Sequence, residues 1–440
     1  MTENILGKIR KLVPPKLFRF FQPAYHRSLS FLAAFWYRFP SRKMIVIGVT
    51  GTKGKTSTAN FIWSCLTAGG CKTGIISTAN IRIGEKESLN KYHMTMPGRF
   101  TIQRLLAQMV KDGCKYCVVE TTSEGIKQYR HVGIYYDIAV FTNLSPEHLN
   151  SHGGSFEKYK RMKTRMFEVL SSRKKIIDGK RIEKIIIANN DSEHADYFLN
   201  FDADRKITFA VKNKADWVAD DIQETDDGVS FGVAGVNFKI GILGKFNVYN
   251  ALPAVIISHV AGIDDDSIAR GFRELKIIPG RMESINGGQD FTVLVDYAHE
   301  RESMTNVLRT ANAMRKNGCK IIILLGAEGG GRDKVKRPVM GELAAKMADF
   351  MIVSNVDPYD DDPRQILEDI AVSAERFGRV RDKDLFVIED RRLGIKKALS
   401  LANPCDIVLI TGKGAEQSIV VGGKSSPWDD RVVVREELGH

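Results

Sequence analysis

Residues 48–57 read GVTGTKGKTS, where the apolar run 44–47 gives way to a helical pattern. Gly51 and Gly54 let the backbone turn tightly, so that the N–H groups around Thr52 and Lys53 can face a phosphate chain. The helix that begins with Thr56 and Ser57 adds its positive dipole end. Lys55 has the position to neutralise β and γ phosphates, and the Thr56 hydroxyl the position to ligate Mg²⁺. A glycine-rich turn with solvated lysines is the plainer alternative. It does not explain why a strand precedes the segment and a helix follows it.

Other polar residues punctuate the chain in a fixed order. They are Glu120 in VVETTSEG, His148 in TNLSPEHLNSHG, Lys163 in YKRMKTRMF, Asn247 and Asn250 in LGKFNVYNA, Arg281 in IPGRME, Asp296 in VDYAH, and Lys413 with Glu416 in TGKGAE. Singly, each has an ordinary reading: a capped carboxylate, a solvated loop histidine, one lysine on a basic helix face. In this order and spacing they resemble the Mur ligases, and within them the type that adds the third residue of the stem peptide to a muramoyl dipeptide. The resemblance covers residues 44–440.

That resemblance implies a chemistry. A carboxylate and an amine do not condense in water, so ATP first phosphorylates the carboxylate and the amine then displaces phosphate from the acyl phosphate. Charge management dominates such transfers. By resemblance, Thr56 holds a first Mg²⁺ while Glu120 and His148 hold a second. Lys163 matches the lysine that is carbamylated by CO₂, a reaction that requires a neutral amine and hence a depressed pKa. Arg281 and Asp296 match contacts to ATP phosphates and ribose, and Asn247 and Asn250 match contacts near the base. ATP would lie between two domains, which makes closure part of catalysis.

For the muramoyl-peptide acceptor, Thr122, Ser123, Gln128 and Arg130 align with contact residues, and Thr95, Met96 and Pro97 replace the usual Thr-Thr-Pro. Glu124 stands where a histidine is usual. For the free amino acid, the diaminopimelate-adding members carry Asp-Asn-Pro-Arg, whereas this chain has Val356, Asp357, Pro358 and Tyr359. The arginine that would grip a second carboxylate is replaced. With Asp357, Asp360, Asp361 and Asp362 together, a cationic side chain such as lysine or ornithine is the electrostatic expectation, against a merely solvated acidic loop. Arg332, Lys336 and Arg337 offer binding for the amino-acid carboxylate, and Glu416 for its amine. Two further classes share the ATP machinery or part of it. One is a γ-glutamyl ligase of the folylpolyglutamate or poly-γ-glutamate type, the other a nucleotide-binding membrane scaffold without ligation. The joint presence of Lys55, Glu120, His148 and Lys163 argues against the scaffold.

Charge is uneven along the chain. The net formal charge is +12 over 440 residues, and residues 1–43 hold nine Lys and Arg against Glu3 alone. Aromatic and aliphatic residues interleave with those cations, and the apolar run 31–37 is far short of the ~20 residues that span a bilayer. Such an arm suits a helix lying in an anionic membrane interface, or equally one packed on the ATP-binding domain. No nucleic-acid recognition motif accompanies it, and none is expected as a partner. The resembled enzymes carry an N-terminal uridine-binding domain, and the arm stands in its place. Six cysteines show no disulfide spacing, and Cys114 with Cys117 lack the two further ligands of a zinc site. Cytoplasmic chemistry is the expectation.

The elements that must position these residues alternate. After the arm (1–43), strands at 44–47, 73–77, 116–120, 138–141 and 185–188 alternate with helices ending near 68 and at 101–111 and 156–170. Hairpin strands at 216–242 and a helix at 248–261 follow. This predicts an α/β class: a phosphate-loop central domain (44–278) with a mostly parallel sheet. After a linker at 278–280, strands at 292–295, 320–325, 350–353, 385–388 and 407–410 predict a second, Rossmann-like α/β domain (279–440).

Overall fold

The computed structural model describes residues 15–92, 94–147, 149–225 and 227–439. Residues 1–14 of the expected arm and His148, the expected metal ligand, lie outside the described residues.

Helix α1 (Pro15–Trp36) leads into β1 (Ile45–Thr50), the phosphate loop and α2 (Lys55–Ala68). Next come β2 (Thr73–Ile76), the hairpin β3 (Asn80–Ile83) and β4 (Lys86–Leu89), α3 (Arg99–Lys111), β5 (Tyr116–Glu120) and the short α4 (Ser123–Lys127). β6 (Ile138–Phe141), α5 (Phe156–Ser172), the small hairpin β7 (Ile176–Ile177) and β8 (Lys180–Arg181), β9 (Ile185–Asn189) and β10 (Arg205–Ala210) follow. The antiparallel run β11 (Trp217–Thr225), β12 (Gly228–Val233), β13 (Val236–Ile240) then leads to α6 (Asn247–Val260) and α7 (Asp265–Glu274).

These strands form one 11-stranded sheet in the order β13-β12-β11-β10-β9-β6-β1-β5-β2-β3-β4. The seven central strands from β11 to β2 pair in parallel, with antiparallel hairpins at both edges. Alternate residues of each central strand feed two cores. Ile47, Val49, Val118, Val140 and Ile187 pack under α2, α6 and α7, while Val46, Val119, Phe141 and Ile186 face α3 and α5. Burial on both faces is what a parallel sheet demands and explains the nearly unbroken apolar runs.

The second sheet has six strands, β14 (Glu283–Ile285), β15 (Thr292–Asp296), β16 (Ile321–Leu325), β17 (Phe350–Val353), β18 (Leu385–Val387) and β19 (Ile407–Thr411), in the order β14-β15-β19-β16-β17-β18. All its pairs are parallel except β14 with β15. Helices α8 (Arg301–Met314), α9 (Lys336–Met347), α10 (Pro363–Arg376), α11 (Arg391–Ser400) and α12 (Asp430–Glu437) cover it, and the hairpin β20 (Ser418–Val421) and β21 (Lys424–Pro427) extends beyond β19.

Three expectations need correction. β1 runs on through Gly48 to Thr50, because Gly48 lies in the sheet with Tyr136 and Met166 against the space its side chain would fill. A further helix, absent from the expected elements, follows the one at 248–261: α7 packs on α2, with Ser64 Oγ donating to Gly271 O at 2.7 Å, and adds Ile268 and Phe272 to the same core. Finally, Cys319 and Cys405 are disulfide-bonded across a sequence separation of 86. Parallel pairing of β16 with β19 sets Ile321 beside Ile407, which brings the residues two before each to a Cα–Cα distance of 5.7 Å. Linear cysteine spacing carries no trace of that adjacency. Cys114 and Cys117 are free and buried.

Candidate active site

β1 delivers the phosphate loop to the carboxyl edge of the parallel strands, where ligands bind in open α/β sheets. The loop's path needs its glycines. Gly54 has φ +81, and a side chain there would meet Asn250 Oδ1 at 2.0 Å; at Gly51 it would meet Thr142 Oγ1 at 2.0 Å. The β6–α5 connection clamps the loop from outside. Thr52 N donates to Asn143 O (2.9 Å), Lys53 N to Asn143 Oδ1 (2.8 Å), and Lys53 Nζ pairs with Glu147 at 2.7 Å. Asn143 and Glu147 carried no sequence signal of their own beyond lying in the TNLSPEHL motif.

Three loop and strand-end groups converge. Thr56 Oγ1 donates to Glu120 Oε2 at 2.9 Å, and the same oxygen accepts from Thr78 N (2.8 Å) and Thr78 Oγ1 (3.1 Å). Thr78 Oγ1 in turn meets Thr95 Oγ1 at 2.7 Å, which ties the strand-end carboxylate to the expected acceptor side. Lys55 is half-buried, with Nζ donating to Thr52 O at 2.8 Å. Burial pulls its pKa down, and Lys53 and Arg281 add to that, against Glu120 and Glu147. Ser57 is buried behind them.

Lys163 comes from α5 and is 1% exposed. Its Nζ donates to Gly51 O at 2.6 Å and lies 4.5 Å from the centre of the Tyr159 ring. Burial holds its pKa well below the ordinary lysine value, Lys55 pushes it further, and Glu147 and Glu120 oppose. A lysine from a basic helix would face solvent; this one points inward because α5 is amphipathic and position 163 shares its buried stripe with Tyr159, Met166 and Phe167.

The second sheet reaches the loop through Arg281. Its Nη2 donates to Thr56 Oγ1 at 3.2 Å and its guanidinium lies 4.5 Å from the Tyr297 ring centre. Asp296 accepts from Met282 N (2.8 Å) and Ala298 N (2.7 Å), and burial raises its pKa. It braces the turn that carries Arg281, with Met282 in the left-handed region at φ 46°. Asn247 donates to Leu243 O (2.7 Å) and accepts from Asn250 Nδ2 (2.8 Å), so this pair buttresses Gly54 from behind.

The expected acceptor residues cluster on and around α4. Thr122 caps the helix, accepting from Gly125 N at 3.1 Å; Ser123 Oγ meets His152 Nε2 at 3.2 Å; Arg130 donates to Gln128 Oε1 at 2.6 Å and to Met96 O, beside the buried Pro97. Arg130 is nearly buried and its Nε has no partner among the described residues.

At the end of the second sheet, Lys413 is fully buried between Asp357 and Glu416, 2.7 Å from each, and Tyr297 donates to Glu416 at 3.1 Å. Asp357 also accepts from Val420 N at 2.8 Å. Asp362 caps α10, and Asp361 lies 3.8 Å from Arg337. Three of the four acids in the expected cation-binding group therefore have partners within the protein, so Asp357 binds Lys413 and not an incoming side chain. Tyr359 sits at φ 55° beside the exposed Arg332, with which it hydrogen-bonds. Lys336 and Arg337, expected to offer binding for the amino-acid carboxylate, are instead buried and ion-paired within the protein, Lys336 with Glu300 (2.8 Å) and Glu328 (2.7 Å) and Arg337 with Asp369 (2.8 Å).

This geometry has counterparts. Residues 49–258 match the Mur ligase middle domain, and residues 280–414 match the domain described as Mur ligase, glutamate ligase domain. A UDP-N-acetylmuramyl-tripeptide synthetase of Roseiflexus sp. (strain RS-1) is 37% identical over 93% of this chain and 82% of its own length. A UDP-N-acetylmuramoyl-L-alanyl-D-glutamate--2,6-diaminopimelate ligase of Geobacillus kaustophilus is 36% identical, again over 93% and 82%. A solved structure of a ligase with that same description superposes with a TM-score of 0.59 at 29% identity, over 90% of this chain and 78% of the other. Mycobacterium tuberculosis folylpolyglutamate synthase complexed with ADP reaches a TM-score of 0.68 at 18% identity, over 88% and 91%, and shares the fold. With a phosphate loop, a strand-end carboxylate and a buried lysine held as described, and with relatives alike along nearly its whole length, the chain belongs to the Mur ligase family.

Proposed function

We propose that the chain joins a free amino acid, lysine or ornithine rather than diaminopimelate, to a muramoyl dipeptide. Its family makes it an ATP-dependent, ADP-forming ligase of peptidoglycan precursor synthesis. The observation that carries the site assignment is the convergence of Thr56, Glu120 and Lys163 on the phosphate loop, with Arg281 arriving from the second sheet.

The residues fit a small hard cation. Thr56 and Glu120 offer oxygens 2.9 Å apart, and Mg²⁺ takes few protein oxygens together with substrate phosphates. When bound, it offsets repulsion between the triphosphate and the incoming carboxylate. Lys55 and Arg281 supply fixed positive charge to the phosphates, and the start of α2 adds its positive dipole end, since the N–H groups of Thr52 and Lys53, expected to face phosphate, are bound to Asn143. The acceptor carboxylate oxygen attacks the γ-phosphorus, the bond to the ADP oxygen breaks, and an acyl phosphate forms. The amine of the amino acid then attacks the acyl carbon, phosphate leaves with the bonding pair, and the amine loses a proton. Lys163 fits carbamylation, since its buried amine has a depressed pKa; as a carbamate it becomes an anion beside Glu120.

On the amino-acid side, Arg332 suits the α-carboxylate, whereas Glu416, expected to hold the amine, is paired with Lys413 at 2.7 Å. Tyr359 offers a neutral hydroxyl where an arginine would grip a second carboxylate. The acidic loop contributes less than its composition implies, because among the described residues Asp360 alone of the four acids has no ion pair, cap or backbone bond of the kind described above. We place the reaction in the cytoplasm, where its ATP is supplied, although the Cys319–Cys405 disulfide is unusual for that compartment. α1 buries Ser30, Ala33 and Ala34 while Phe31, Leu32, Phe35 and Trp36 stay at least half exposed. That outward face, beside Arg27 and Arg38, suits contact with an anionic membrane surface. No helix among the described residues is long and apolar enough to cross one. Acceptor-dependent ADP release decides the reading: turnover with a muramoyl dipeptide supports it, while turnover with a folate or glutamate peptide alone refutes it.

A further inference from the structure

Beside the acceptor residues, a cavity of about 660 Å³ opens between α4, residues 151–153 and one face of α5. Lys127, Lys158, Arg161 and Arg165 line it against a single acid, Glu168. On α5 the spacing of 158, 161 and 165 stacks three cations along one stripe, whereas Lys163 points from another face of the same helix into the phosphate loop. Among the described residues none of the four cations is in an ion pair; one step round the helix, Lys160 has Glu157 at 2.8 Å. Lys127 donates to Ser151 O at 2.5 Å, and Arg165 lies 5.5 Å from the Tyr129 ring centre, so two of the four are held in place. The buried His152 forms the inner wall and joins the cavity to the acceptor helix through Ser123. Burial lowers its pKa, with Lys127 and Lys163 adding to that against Glu124. Like charges gathered in a concave wall without counter-charge repel one another, and the natural complement is a compact polyanion.

We propose that this cavity seats a diphosphate: the phosphate-bearing end of the acceptor, nucleoside-linked or lipid-linked, held by Lys127, Lys158, Arg161 and Arg165. The peptide carboxylate then extends past Ser123 toward Lys163. The inference rests on the reading of the substrate as a muramoyl peptide, and it assigns the grip on the acceptor's far end to the same unit that binds ATP.

Calorimetry on the full chain tests it, with ADP and Mg²⁺ saturating so that the phosphate loop is taken. Three probes are compared: UDP-N-acetylmuramoyl-dipeptide, the same muramoyl dipeptide on a short prenyl diphosphate, and the phosphate-free muramoyl dipeptide. Both diphosphate forms are expected to bind at least tenfold more tightly than the third, and the tighter of the two identifies the source. Arg161→Glu with Arg165→Glu should erase that preference while ADP affinity and melting temperature hold. The milder Arg161→Gln with Arg165→Gln, for use if charge reversal prevents folding, should reduce the preference at least threefold. Equal binding of all three probes, no binding of any, or an unchanged preference in a folded variant overturns the proposal. The measurement needs no turnover, so a variant-sensitive diphosphate preference without amide formation would refute the ligase reading and leave the cavity assignment intact.

Discussion

Replacing Lys163 separates two roles that the same buried nitrogen can play. As an ammonium ion it would attract phosphate; as a carbamate it would be an anion beside Glu120. The fold strongly disfavours the ammonium: Nζ is enclosed, has one backbone acceptor at 2.6 Å, and has Lys55 as a like-charged neighbour. Lys163→Ala removes either role. If the group acts on charge developing in phosphoryl transfer, the loss is about 10²–10³-fold in kcat, or ~3–4 kcal/mol. Lys163→Arg distinguishes the two, since guanidinium keeps the cation and cannot be carbamylated, so it should be as inactive as the alanine variant. Formate or acetate should partly restore Lys163→Ala by supplying an anion, and should do nothing for Lys163→Arg, which fills the space. Wild-type rate should fall in CO₂-depleted buffer. It should recover on adding bicarbonate, more fully as pH rises through the depressed pKa and the neutral amine fraction grows. Coupled ADP-release kinetics read all of these. An active Lys163→Arg, or an alanine variant indifferent to carboxylic acids, refutes the carbamate and returns Lys163 to a cationic role.

Lys55→Ala should abolish acceptor-dependent ADP release with a melting temperature within a few degrees of wild type, because Lys55 contributes one backbone bond to the fold; normal turnover would remove the phosphate-loop assignment. In an amino-acid panel, lysine or ornithine should exceed meso-diaminopimelate in kcat/KM, and the reverse order would show that Tyr359 does not exclude a second carboxylate. Vesicle sedimentation at low salt should bring down the full chain with anionic lipid, less so as ionic strength rises, and Phe35→Ser with Trp36→Ser should weaken it; indifference of the wild type to anionic lipid would make α1 purely structural. Reducing the Cys319–Cys405 bond, or substituting Cys319→Ser, should lower stability by up to about 4–5 kcal/mol on the loop-entropy estimate for a separation of 86. A chemical-denaturation midpoint unmoved by reductant would show that the bond does not form in solution.

What could be read from the sequence follows from how local each signal is. Strands β5, β6 and β17 and helix α2 match their expected bounds to within a residue, because apolar runs flanked by turns report sheet burial directly. The edge hairpin β3–β4 and the short β14 escaped, since Arg82, Lys86 and Glu87 on half-exposed edges break any apolar pattern. Among site residues, Thr56 and Lys55 were legible as chemistry because one ten-residue motif contains strand, loop and helix. Lys163 was legible only through resemblance, since nothing in YKRMKTRMF distinguishes the lysine that turns inward from those that stay outside. Thr78 was not legible at all, and Glu147 only as a member of the TNLSPEHL motif: the first joins Glu120 to Thr95 across two strand ends, and the second balances Lys53 from another connection.

The acidic loop shows the same limit from the other side. Counting Asp357, Asp360, Asp361 and Asp362 suggests a strong negative field, but net local charge depends on which cations the fold brings to them. Lys413 reaches Asp357 from 56 residues away and is completely buried there, and Arg337 approaches Asp361 from α9. A carboxylate with a buried lysine at 2.7 Å has little charge left to offer a ligand, since leaving that lysine unpaired would cost several kcal/mol. On the proposed reading the discrimination between amino-acid side chains falls to Tyr359, and Tyr359→Arg is the substitution that should move preference toward diaminopimelate. A rise of tenfold or more in its kcat/KM relative to lysine, measured by ADP release at saturating acceptor, is the expected result. An unchanged ratio in a variant with wild-type ATP affinity would place the selective contacts elsewhere.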